Sequence, residues 1–197
     1  MIVTGADDDL ADGTQNSTVT ISVVDLSSDD SFDSLADQSF TVTTADNDIA
    51  GFTITETNGS TEVDESGDTD IFTVVLDAQP ANDVVLSIIS SDTGEATVTS
   101  TLTFTSTNWD TAQTVTVTGV DDSLLDGSQS SIVTISVVDQ NTSDEFDAVA
   151  DQTVSVSTTD DDVAGFTIVE FEGSTEVNES GAVSYTHLTL PTTCCVL

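Results

Sequence analysis

Thr114-Val-Thr-Val-Thr118 and Ser131-Ile-Val-Thr-Ile-Ser-Val137 decide the class of fold. The first places Val115 and Val117 on one face of an extended chain and threonines on the other. The second does the same with Val133, Ile135 and Val137. Side chains alternate across a β-strand, so a two-residue apolar period marks a strand with one face in a core. Thr and Val both favour extended backbone, and Thr keeps the outer face wet without adding charge. No helical period is sustained along the chain.

Outward from these two strands, turn residues divide the sequence at the spacing of a sandwich or barrel. Residues 49–162 are predicted to hold seven strands: A (51–63, broken near Gly59), B (70–77), C (83–90), D (97–104), E (113–119), F (131–139) and G (152–159). Pro80 falls in the B–C turn, where its fixed φ helps and its missing N–H costs nothing. Trp109, just before strand E, is expected to plug one end of the core with Phe72 and Phe104. Seven strands in about 114 residues suit an immunoglobulin-like antiparallel β-sandwich, large enough to bury its own core. Cysteine occurs only at Cys194 and Cys195, so no disulfide or zinc–thiolate site holds the sandwich together.

The pattern occurs more than once. Residues 5–67 and 119–181 align without a gap at an offset of 114, with 39 of 63 positions identical. Val19-Thr-Ile-Ser-Val-Val-Asp25 recurs unchanged at 133–139, and Ala50-Gly-Phe-Thr-Ile54 recurs at 164–168. The expected fold is therefore all-β, a tandem of sandwich modules of about 114 residues. Residues 1–48 read as the C-terminal part of one module, 49–162 as a complete module and 163–182 as the first strand of a third. The register stops after Gly181. Residues 183–197, with Tyr185, His187 and both cysteines, resemble the translation of a sequencing-library adapter and are set aside as an artefactual tail. Met1 aligns with mid-strand sequence, so the chain reads as a fragment of a longer polypeptide.

Thirty-seven acidic residues face no lysine or arginine, a formal charge of -37. That charge repels nucleic acid and anionic membrane surfaces. An apolar share of 37%, regularly placed, argues against disorder. Two readings of the charge stay open: a solvated surface suited to salty surroundings, or carboxylates neutralised in part by bound cations. Without a basic side chain in the described modules, metal ions, water and backbone N–H groups are the only partners for a carboxylate. No run of 18 apolar residues is present, so no membrane insertion is expected. Acidic, cysteine-free, Thr-rich repeats fit an extracellular protein, secreted or on a bacterial cell surface.

Consecutive antiparallel strands reverse direction, so strands A, C, E and G should finish at one end. The acids that follow them are Glu65, Asp92, Asp121, Asp122, Asp160, Asp161 and Asp162, with Asp126 further along the E–F loop. Calcium takes six to eight oxygen ligands from flexible carboxylates and carbonyls, and such convergence can supply them. The opposite end also carries acids, among them Asp77, Asp83, Asp110, Asp139 and Asp144. Adjacency separates the two ends: Asp121-Asp122 and Asp160-Asp161-Asp162 repel one another unless a cation intervenes. The first copy keeps Asp7-Asp8-Asp9 and Asp46-Asn47-Asp48 at matching places.

Val63-Asp-Glu65-Ser-Gly, Gly119-Val-Asp-Asp-Ser-Leu-Leu-Asp126-Gly and Thr159-Asp-Asp-Asp162 together resemble the Calx-beta family, the calcium-binding module of sodium/calcium exchangers, integrin subunits and large bacterial surface proteins. The resemblance implies Ca2+ ligation by Glu65, Asp121, Asp122, Asp126, Asp160, Asp161 and Asp162. Leu124 would add a main-chain carbonyl and Asp92 a further carboxylate. After Asp126 the chain reads Gly-Ser-Gln, where the exchanger form carries more acids.

The expected function is that of a calcium-dependent structural repeat in an adhesin-like protein, the ion stiffening joints between neighbouring repeats of the same chain. Cell-surface or matrix ligands would be met through other domains of the parent. The alternatives are an ion-independent acidic spacer and a sugar- or protein-binding module, for which Trp109 and Phe171 are the aromatic candidates. An enzyme is disfavoured, because acids repeated from copy to copy are odd for an active site and a Ser-His-Asp set would need His187.

Overall fold

The two alternating stretches become β9 (Gln113–Gly119) and β10 (Gln129–Val137), one in each of two sheets. The computed structural model describes residues 2–24, 29–140 and 142–169. Phe171, most of the expected third-module strand and the tail lie outside the described residues. Upstream come β1 (Gln15–Ile21), β2 (Gln38–Thr44), β3 (Phe52–Glu56), β4 (Thr61–Asp64), β5 (Thr69–Leu76), β6 (Val84–Ser90), β7 (Ala96–Val98) and β8 (Thr101–Phe104). The series closes with β11 (Gln152–Thr159). One sheet has the order β4-β11-β10-β6-β8 and the other β3-β5-β9-β7. No helix of the described residues is long and apolar enough to cross a membrane.

The inward residues of both sheets make one core. Phe72, Val74, Val115 and Val117 face Leu86, Phe104, Val133 and Ile135, all fully buried, and Trp109 packs half-buried against them. Phe146 also closes the core, from a short 3-10 turn at Asp144–Phe146. Its acidic neighbours hide it from any alternation rule. At about 1.5–3 kcal/mol per buried large side chain, this core is the dominant stabilising term.

Two predicted strands are divided between the sheets. Strand A runs as β3 beside β5, then crosses through the turn at Thr57–Gly59 and continues as β4, parallel to β11. Asn58 and Gly59 both have positive φ there (58° and 83°), which gives the chain its sharp sideways step. Strand D divides likewise into β7 on β9 and β8 on β6. Strand G matches its predicted limits, while F begins two residues earlier than expected, because Gln129 already pairs with Thr158. The crossing of A leaves little room at Gly119, where a Cβ would stand 1.8 Å from the Asp64 carbonyl oxygen.

The repeat in sequence is also a repeat in pairing. β1 and β2 pair from Gln15↔Thr44 to Ile21↔Gln38, and β10 and β11 from Gln129↔Thr158 to Ile135↔Gln152. The setting differs. Phe32, the counterpart of Phe146, is 54% exposed where Phe146 is fully buried.

Candidate metal centre

Register places the centre. Thr159 pairs with Asp64 at the end of the parallel β4–β11 ladder, so the next residues on each strand, Glu65 and Asp160, emerge side by side. The Glu65 N–H donates to the Thr159 carbonyl at 3.1 Å and fixes that exit. The Asp64 side chain accepts from the Ser66 backbone N–H and hydroxyl, turning the chain immediately afterwards. Opposite, Gly119 lets β9 close against Asp64, and its N–H donates to Asp68.

Glu65, Asp160 and Asp162 each offer a carboxylate oxygen, and these oxygens lie within 4.8 Å of one another. Glu65 is 1% exposed, and its Oε2 has no hydrogen-bond partner. Asp162 Oδ2 and Glu95 Oε2 are buried and unpartnered as well. Asp160 is held by its surroundings: Oδ2 accepts from the Gly127 N–H at 2.7 Å and Oδ1 from the Asp162 N–H at 2.8 Å. These bonds tie the β9–β10 loop to the end of β11.

The electrostatics are uniformly repulsive. Burial, then Asp160, Asp122, Glu95 and Asp126, push the Glu65 carboxyl up to about 7. Glu95 is raised by burial and then by Asp126, Asp92, Asp122 and Asp160. Asp162 is raised by burial, then by Asp160, Asp161, Asp122 and Asp121. Three carboxylates in this state need protons or a cation, since a buried charge without a partner is costly.

Seven of the eight sequence-predicted carboxylates gather at this pole. Glu65, Asp160 and Asp162 form the inner group. Asp122 and Asp126 act on Glu65 from the β9–β10 loop, and Asp121 and Asp161 act on Asp162. Asp122 Oδ1 accepts from the Leu124 N–H at 2.6 Å, which shapes the loop. Asp92 stands apart: it is exposed, and its Oδ1 caps a turn through the Gly94 N–H at 2.9 Å.

Glu95 is the residue the sequence reading missed. The acid that follows strand C is Asp92, but the chain turns there, and Glu95 returns to the pole ahead of β7. The Glu95 carbonyl accepts from the Val120 N–H at 2.9 Å, locking it beside the end of β9. Residues 68–114 have only one copy in the chain, so repetition could not single Glu95 out.

The first copy repeats the loop. Asp46 Oδ2 accepts from Gly13 at 2.7 Å and Oδ1 from Asp48 at 2.8 Å, and Asp8 Oδ1 accepts from Leu10 at 3.1 Å. Gly13 and Gly127 share a positive φ, 69° and 74°. A cleft of about 250 Å³ lies here, with Asp8, Asp12, Asp46 and Asp48 in its lining.

No family model matches the chain, and no curated protein matches it. Solved structures with a similar arrangement of strands include the E. coli chaperone DraB, at 6% identity and a TM-score of 0.42 over 60% of this chain and 59% of that one. Domains 4 and 5 of the S-layer protein SbsC align at 19% identity and a TM-score of 0.37, over 62% and 63% of the two chains. SSP-19, an MSP-domain-like protein of Caenorhabditis elegans, aligns at 17% identity and a TM-score of 0.34, over 51% and 92%. The chain is an all-β protein built on a β-sandwich.

Proposed function

We propose that this protein is a calcium-binding structural module of the Calx-beta type, one repeat of a large secreted or cell-surface adhesin-like protein. One observation carries the reading: a fully buried glutamate, Glu65, has an unpartnered carboxylate oxygen and offers an oxygen within 4.8 Å of those of Asp160 and Asp162. The donor set is all oxygen, which suits calcium and not zinc or copper. Glu65, Asp160 and Asp162 would hold the ion, with Glu95, Asp122 and Asp126 near enough to join or to attract it. A bound cation supplies charge neutralisation. The chain supplies the rest: the β4–β11 register positions Glu65, and the bonds from Gly127 and Asp162 aim Asp160.

In this reading the module is mechanical and has no catalytic role. The first copy's acids lie beside the joint, because the Asp9 carbonyl accepts from the Gln79 N–H of the following sandwich at 2.7 Å. Neutralising them would stiffen the string, and chelation would loosen it. Extracellular calcium modules have dissociation constants of roughly 10⁻⁴ to 10⁻³ M. Calorimetric titration of the full chain with calcium chloride is expected to give binding in that range, and Glu65→Gln to weaken it at least about tenfold. Absence of heat up to about 10 mM calcium, with an unchanged melting temperature, leaves only an acidic spacer.

A further inference from the structure

Asp9, Leu10 and Ala11 belong to the segment ahead of β1, the first copy's counterpart of the β9–β10 loop, and they do not end in solvent. Leu10 forms a parallel bridge with Gln79, in the turn between β5 and β6. The Gln79 N–H donates to the Asp9 carbonyl at 2.7 Å, and the Ala11 N–H donates to the Gln79 carbonyl at 3.0 Å. Ala11 is 2% exposed and belongs to the core cluster of the following sandwich. The receiving corner is itself braced by Gln79 Nε2, which donates to the Ser106 carbonyl at 2.7 Å. This corner lies at the pole opposite Glu65, since β5 starts beside Thr118 and ends at Leu76.

The same loop in the second copy is uncovered. The counterparts of Asp9, Leu10 and Ala11 are Ser123, Leu124 and Leu125, and the two leucines are 53% and 45% exposed. Adjacent exposed leucines on an acidic, otherwise polar loop are out of keeping with a solvated tip. The loop already has the docked shape. Asp122 bonds the Leu124 N–H as Asp8 bonds that of Leu10, and Asp160 bonds Gly127 as Asp46 bonds Gly13. A loop pre-formed for its contact loses little conformational freedom on binding.

We propose that Ser123, Leu124 and Leu125 form a docking wedge for the β5–β6 corner of a second copy of this module. The contact is a parallel two-bond pairing, from the Ser123 carbonyl and the Leu125 N–H to the counterpart of Gln79, with the Leu125 side chain seated where Ala11 sits. It rests on backbone contacts already present once in the chain and does not depend on the identity of any ion.

Hydrogen exchange tests it on a chain in which residues 163–197 are replaced by a further copy of residues 49–162, in calcium and in chelator. In the present chain the Ala11 amide should exchange slowly and the Leu125 amide fast. In the lengthened chain the Leu125 amide should slow at least about tenfold in one or both conditions. Leu125→Ala, which restores the side chain seen in the docked joint, should slow that amide as much as Ala11, and Leu124→Asp with Leu125→Asp should leave the loop fast. Core amides of the added copy report its folding in the same spectra. If those are protected while position 125 stays fast in both the leucine and alanine forms, the wedge does not exist.

Discussion

Glu65→Gln should act in opposite directions with and without calcium. Glutamine keeps the shape of glutamate, removes one buried charge and offers an N–H donor to Asp160 and Asp162. Raising a carboxyl from 4.5 to about 7 corresponds to about 3 kcal/mol. Solvent on the open side of the pole reduces that to about 1–2 kcal/mol. The sign follows from linkage. Folded Glu65 holds its proton more tightly than the unfolded chain does, so its contribution is full below about 4.5 and lost as pH rises through about 7. In chelator at pH 8 the wild-type protein should therefore melt below its value at pH 5.5. Glu65→Gln should raise the pH 8 melting temperature by about 5–10 °C and flatten the profile. In calcium at about 100 times the dissociation constant, the wild type gains about 2.7 kcal/mol, and the variant, bound at least about tenfold more weakly, loses about half of that gain or more. Scanning calorimetry at the two pH values, with chelator and with calcium, reads all four arms. A variant that melts lower than wild type in chelator at pH 8 would refute the idea that Glu65 is held against its own charge.

Three further substitutions separate the parts of the site. Gly119→Ala should destabilise the sandwich by about 2–4 kcal/mol in urea melts, because its Cβ meets the Asp64 carbonyl at 1.8 Å and one strand must yield. Calcium affinity should fall with it, since the same approach fixes the exit of Glu65; an unchanged midpoint would show that the strands part freely. Glu95→Gln should weaken calcium binding several-fold in titration calorimetry while Asp92→Asn leaves it within about twofold. The reverse order would place the Asp92 segment, and not Glu95, at the ion.

The strand pattern was legible because buried apolar residues recur at every second position in β9 (Val115, Val117), β10 (Val133, Ile135) and β11 (Val154, Val156), and strand G agreed with its predicted limits. The sheet exchanges were not. Gly59 announced a break in strand A, but which sheet receives β4 depends on β11, about a hundred residues later. Strand D has no glycine or proline at its division. Its step at Thr99 is held by exchange with Thr116, whose N–H bonds the Thr99 hydroxyl at 3.1 Å and whose carbonyl accepts from the Thr99 N–H at 3.0 Å. Strand direction placed Glu65, Asp160 and Asp162 at one end, and the adjacency of acids there, with the Calx-beta resemblance, set that end apart from the other. Their unequal burial could not. Alternation does not say that Glu65 is enclosed while Asp92 caps a turn in solvent, because that depends on how two loops fold over the end of the core.

The joint at Gln79 joins unlike surfaces, a loop from one pole and a corner from the other. Contacts of this kind have no two-fold axis and do not close on themselves. Each added copy presents the same free loop as the one before it, so a string built this way carries a direction, and its reach is set by how many repeats are encoded.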